Sequence, residues 1–137
     1  PGPRHLAPRG GVTGLGPEAV LPPVPAAVPA EVADLLRAAA AEAFRATDPA
    51  LLERCHARVV ALLGGPDDSD RPPGTAAEAA CLAFTDEFVI DVATLADDTA
   101  AAVRDHLGDA GLADFTRALL VVEQRERLAR ALQAVGV

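Results

Sequence analysis

The sequence predicts an all-α fold, a compact bundle of about five helices. Three observations point there. Half of the 137 residues are hydrophobic, and much of that half is alanine, the best helix former. Apolar residues recur at spacings of three and four between glycine and proline stops. No internal repeat and no convincing strand pattern interrupts them. At this length the chain is one domain that can bury a real core.

Residues 1–27 carry Pro or Gly every few positions, which forbids a stable helix and suits few strands. They are read as an irregular segment ahead of a helical domain over 28–137. Val20 to Val24 is apolar enough to lie along the body, and the first dozen residues are expected to be disordered. The first helix is predicted over 29–46, with Pro29 in its first turn and an apolar stripe of Val32, Leu35, Leu36, Ala39 and Ala43.

The second helix opens at Asp48-Pro49, an N-cap followed by proline at the first helical position. It stops at Gly64-Gly65, where glycine supplies the left-handed turn. Its stripe is Leu52, Cys55, Val59 and Leu62 or Leu63. The loop "GGPDDSDRPPG" (64–74) cannot hold a helix of any length. The third helix starts at "TAAE", where Thr75 and Glu78 form a capping box, and its stripe is Cys81, Phe84, Phe88 and Val92. A fourth runs over 97–107 and stops at Gly108. A fifth runs over 109–135, and its "ALLVV" run (118–122) is apolar all round, as expected at the centre of a core or at a subunit interface.

Composition excludes several classes of function. The net charge is −8, with 12 arginines and no lysine, so nucleic acid and anionic membranes are not expected partners. There is no Trp or Tyr and there are four Phe, which leaves no aromatic platform for bases or sugars. No signal peptide is visible and no stretch approaches the roughly 20 apolar residues of a membrane-spanning helix, so a cytoplasmic location is expected. The chain begins at Pro1 without Met and is expected to be a processed or cut form of a longer one. Cys55 and Cys81 lie inside helical patterns without CxxC spacing and are read as buried free thiols, a single disulfide between them being the alternative.

Several segments together resemble the alkylhydroperoxidase D-like, carboxymuconolactone decarboxylase superfamily. They are "LLERCHARVVALLGG" (51–65), "EAACLAFTDEF" (78–88), "ADDTAAAVRDHLGDAGLADF" (96–115) and "VVEQRERL" (121–128). With the first helix included, the resemblance covers about 21–132. It implies an all-α fold and a homo-oligomer. The family's redox members carry a glutamate, then CxxC at the head of the next helix, then a histidine, and reduce peroxides by thiol–disulfide exchange. Carried over by position, Glu53 matches the glutamate. The first cysteine falls at Gly65, the second at Asp68 and the histidine at Pro72. Without a nucleophilic and a resolving thiol that peroxidase cycle cannot run.

The remaining candidates are few. His56 stands three residues after Glu53, so the two can share a helix face and serve acid–base chemistry, the bland alternative being a half-exposed surface pair. His5 lies in the irregular N-terminus, and His106 in the last turn before Gly108 is read as a helix cap. Glu87 and Asp91, four apart, are expected to meet Arg125 or Arg127 in at least one ion pair, more a structural than a catalytic group. Glu123–Arg127 and Glu126–Arg130 are i,i+4 ladders, worth little where exposed. Asp67, Asp68 and Asp70 lack the calcium-loop pattern and are read as a solvated loop; no metal or cofactor site is expected. Two functions follow. One is a non-redox protein that binds a small molecule or a partner. The other is a cofactor-independent enzyme on a small organic acid, using Glu53 and His56 with an arginine to hold the carboxylate.

Overall fold

The structure, a computed structural model, describes residues 16–136. The expectations for the first dozen residues and for His5 lie outside them. Among the described residues every regular element is helical. A short turn, α1 (Pro17–Val20), precedes α2 (Ala30–Ala46), α3 (Pro49–Leu62), α4 (Ala76–Asp91), a 3-10 turn (Val92–Thr94) and α5 (Asp97–Ala134). The last run is two helices joined at Gly108, whose φ of 78° and ψ of 174° only glycine adopts readily. The stop expected at Gly108 is therefore present as a kink.

The ends follow from local chemistry. Asp48 caps α3 by accepting from Leu51 N at 3.0 Å. Thr75 caps α4 by accepting from Glu78 N at 3.0 Å, while the Glu78 carboxylate reaches back to Gly74 N at 2.9 Å. Gly64, with φ 97°, turns the chain out of α3.

Helices α3, α4 and α5 pack against one another, α2 lies against α5, and α1 lies against α2. Their shared core holds Leu52, Cys55, Val59, Cys81, Phe84, Phe88, Val103, Phe115, Leu119 and Val122. Phe84 stacks on Phe88 and meets the edge of Phe115, with centroids 5.6 Å apart in the latter pair. The middle of α5 is central, as its apolar run implies: Ala118, Leu119 and Val122 are fully buried. Leu21 and Val24 are buried too, so the N-terminal strap lies along the body, with the turn α1 as an addition to its irregular reading.

The stripe predicted for the first helix is rotated. Of the predicted positions Ala43 is buried, but it is joined by Ala33 and Ala40, whereas Leu35 is 70% exposed and Val32 is also exposed. Small side chains fill the buried side of α2, and the larger apolar groups Val32 and Leu35 fall outside it. Val92 is exposed as well, because it falls in the 3-10 turn past the end of α4.

Candidate functional site

The arginines place most of the polar structure. Arg54 and Arg58, one turn apart on α3, both reach into the loop at 64–74. Arg54 Nη1 donates to Asp68 Oδ2 at 2.8 Å and Arg58 Nε donates to the same oxygen at 2.9 Å. Arg58 Nη1 continues to Asp86 Oδ1 on α4 at 2.8 Å, and Arg54 Nη2 donates to the Arg71 carbonyl. The expectation of a solvated loop holds for Asp67 and Asp70, which are exposed, and is corrected at Asp68, which is buried and holds the loop to α3 because two guanidinia face it. Burial alone would raise its pKa, but the Arg54 and Arg58 hydrogen bonds outweigh burial and hold the carboxyl below its ordinary value.

The positions that the family resemblance would give to redox chemistry are filled otherwise. Asp68 is this ionic hub and Pro72 is exposed. Gly65 is packed so closely that a Cβ there would lie 2.9 Å from the Val60 carbonyl oxygen and 2.5 Å from Val60 Cγ1. A cysteine does not fit without a backbone shift. Cys55 and Cys81 are free and buried in the core. Burial pushes the Cys55 thiol up to about 11. Burial, with the neighbouring Cys55, pushes Cys81 up to about 12. Neither is a thiolate at neutral pH.

Glu53 and His56 face different partners. Glu53 is exposed and accepts from Arg71 Nη2 at 3.1 Å. His56 turns inward, and its Nε2 donates to Glu126 Oε2 on α5 at 2.7 Å. The Glu126 carboxylate is nearly buried and has Arg130 Nη2 at 3.7 Å. The result is a histidine–carboxylate link between α3 and α5 in place of a Glu53–His56 pair.

The ion pair expected among Glu87, Asp91, Arg125 and Arg127 is absent from the described residues. Glu87 instead accepts from Ala96 N at 2.8 Å and Thr99 Oγ1 at 2.6 Å, satisfying the start of α5, and Asp91 accepts from Ala93 N. The donors are the backbone N–H groups of Ala93 and Ala96 and the Thr99 hydroxyl, 2 to 12 residues along the chain, and they engage both acids in place of an α5 arginine. Arg127 pairs with Glu123 and donates to the Val89 carbonyl at 2.9 Å. The Glu123–Arg127 and Glu126–Arg130 ladders are both present. His106 is exposed just before the Gly108 kink.

Arg125 has the most built environment. Its side chain is 2% exposed, and both oxygens of Glu18 accept from it at 3.0 Å in a bidentate pair. The Pro22 carbonyl accepts from Nη1 at 3.0 Å and the Leu36 carbonyl from Nη2 at 3.5 Å. Arg125 also lines a groove of about 380 Å³ between α2 and α5. Leu36 and Ala39 form one wall. Val121, Gln124, Arg127 and Leu128 form the rest. The groove is mostly apolar, with guanidinium and amide groups at a few points, and its volume suits a small organic molecule. Neither Glu53 nor His56 lines it.

Three pairings were not expected from the sequence: Asp68 with Arg54 and Arg58, Glu126 with His56, and Glu18 with Arg125. A signal existed for Asp68: two arginines four apart on one helix, followed by a loop with three aspartates. Glu126 and Glu18 lie 70 and 107 residues from their partners, and no local pattern marks either pairing. No family model, curated protein or solved structure matches this chain.

Proposed function

We propose that the chain is a binding protein without thiol redox chemistry, built on an alkylhydroperoxidase D-like scaffold. Its ligand is a small, largely apolar molecule held in the α2–α5 groove. The observation that carries this reading is the groove itself, apolar along Leu36, Ala39, Val121 and Leu128 and polar at Gln124, Arg125 and Arg127. The inward, high-pKa thiols support the absence of redox turnover, and their free state supports a reducing compartment such as the cytoplasm.

Binding of anilinonaphthalene sulfonate, an apolar dye with one anionic group, tests the reading by fluorescence. Saturable enhancement is expected with the native chain and is expected to be lost in Ala39→Glu, which puts a charge in the apolar wall. Equal binding by both proteins, or no binding by the native one, overturns it.

Homo-oligomerisation is the second reading. It is supported by Val32, Leu35 and Leu120, exposed apolar side chains on the two helices that form the groove. Sedimentation equilibrium of the native chain and Leu35→Glu tests it: a dimer or larger assembly that the substitution dissociates supports it, and a monomer in both rejects it.

A further inference from the structure

We propose that Arg125 is a carboxylate subsite of the α2–α5 groove and that Glu18 is a built-in stand-in for the ligand, so that the groove takes a monocarboxylate with an apolar tail. This inference rests on the groove being a binding site. Arg125 belongs to both structures: it lines the groove, and it carries the Glu18 carboxylate in the two-pronged geometry that guanidinium gives to any carboxylate. A guanidinium this buried requires an anion, since an unpaired charge in that position is strongly unfavourable.

The anion that supplies it sits at the surface, on a segment that the core holds from Leu21 onward. Glu18 is 41% exposed on the one-turn helix α1, which buries none of its residues and packs mainly on α2. The rest of the Arg125 cradle is backbone, the carbonyls of Pro22 and Leu36. Leu36 also forms the apolar wall, so head and tail subsites meet at one residue. Glu18 can therefore leave while the core of α3, α4 and α5 stays intact. An external carboxylate competes against a tethered one, whose effective concentration is on the order of millimolar. Glu18 thereby sets a threshold for ligand binding.

Removing Glu18 and supplying carboxylate from solution tests this. Thermal unfolding of Glu18→Ala is followed against increasing sodium acetate or sodium hexanoate, with sodium chloride at equal ionic strength as the control. The variant is expected to melt below the native chain and to recover saturably with both carboxylates. Half-recovery is expected at roughly tenfold or more lower concentration for hexanoate, given about fourfold per methylene fully buried. Should Glu18→Ala not fold, Glu18→Gln keeps the side-chain shape without the charge and serves in the same comparison.

Recovery with equal half-points for acetate and hexanoate supports Glu18 as stand-in and overturns the groove as the tail site. Recovery no greater than with chloride, while the dye still binds the groove, overturns the stand-in and leaves the groove reading intact. Neither recovery nor dye binding overturns both.

Discussion

Asp68 Oδ2 lies 2.8 Å from Arg54 Nη1, with both side chains buried, and this pair ties the proline-rich loop to the middle of α3. Arg58 shares the same carboxylate and extends the link to Asp86 on α4. Removing Asp68 leaves Arg54 buried without its counter-ion, so Asp68→Ala is expected to lose ~3–5 kcal/mol in urea unfolding. The double substitution Asp68→Leu/Arg54→Met is expected to lose less. The carboxyl of Asp68 is held below the ordinary aspartate value of 3.8, so the folded state binds its proton less readily than the unfolded state. Its contribution is full above that value and falls as the pH drops through the lower folded value. Glu18 and Glu87 are shifted in the same direction, so native stability is expected to decline below about pH 4. A stability profile flat from pH 5 to pH 2 contradicts this.

The His56–Glu126 link is expected to show as coupling between α3 and α5. Glu126→Gln and His56→Gln are each expected to cost ~1–3 kcal/mol, because the partner is left in a mostly buried place. A double-mutant cycle is expected to give an interaction of more than about 0.5 kcal/mol. The same cycle on Glu53 and His56 is expected to give none, since Glu53 is engaged with Arg71 at the surface. Coupling found only in the second cycle reverses the assignment.

Thiol chemistry gives a direct kinetic readout. With both thiols in the core and their pKa values raised, labelling by a disulfide reagent at pH 8 is expected to be slow and to follow the rate of opening or unfolding. In denaturant both thiols are expected to react at once. Turnover of an alkyl hydroperoxide with a dithiol reductant is expected to stay at the uncatalysed rate. Activity abolished by Cys55→Ser or Cys81→Ser would show that these thiols reach substrate.

Gly65 separates a missing motif from a missing space. The pairing of Gly65→Cys with Asp68→Cys creates a CxxC sequence, yet the new Cβ at position 65 meets the Val60 backbone. The single Gly65→Cys variant is expected to lose ~1–3 kcal/mol, as overpacked substitutions do. The double variant also removes the Arg54 counter-ion, and is expected to melt lower still and to remain without peroxidase activity. A double variant as stable as the native chain refutes the steric argument.

Most of the fold was legible in the residues because helix signals are local. Asp48-Pro49, Thr75 with Glu78, and the glycines at 64 and 108 mark ends through their own backbone and capping chemistry. The register of α2 was not legible. Hydropathy favours Val32 and Leu35, whereas the buried side is shifted to include the alanines at 33 and 40 beside Ala43, which alone of the three is in the predicted stripe. The candidate site was less legible still. Arg125 and His56 are visible as chemistry, but Glu18 and Glu126 are identified only once folding brings α1 beside α5 and α3 beside it. Near neighbours misled in the same way: Glu53 was the obvious partner for His56 at three residues, and it points elsewhere.

The proposed ligand site is the α2–α5 groove. The most direct measurement is an amide NMR titration of the native chain with anilinonaphthalene sulfonate. Shifts that saturate and cluster on Leu36, Ala39, Val121, Gln124 and Leu128, with Glu53 and Arg71 unmoved, are the expected result. Shifts that cluster around Glu53 and Arg71, or spread evenly over the exposed surface, contradict the claim.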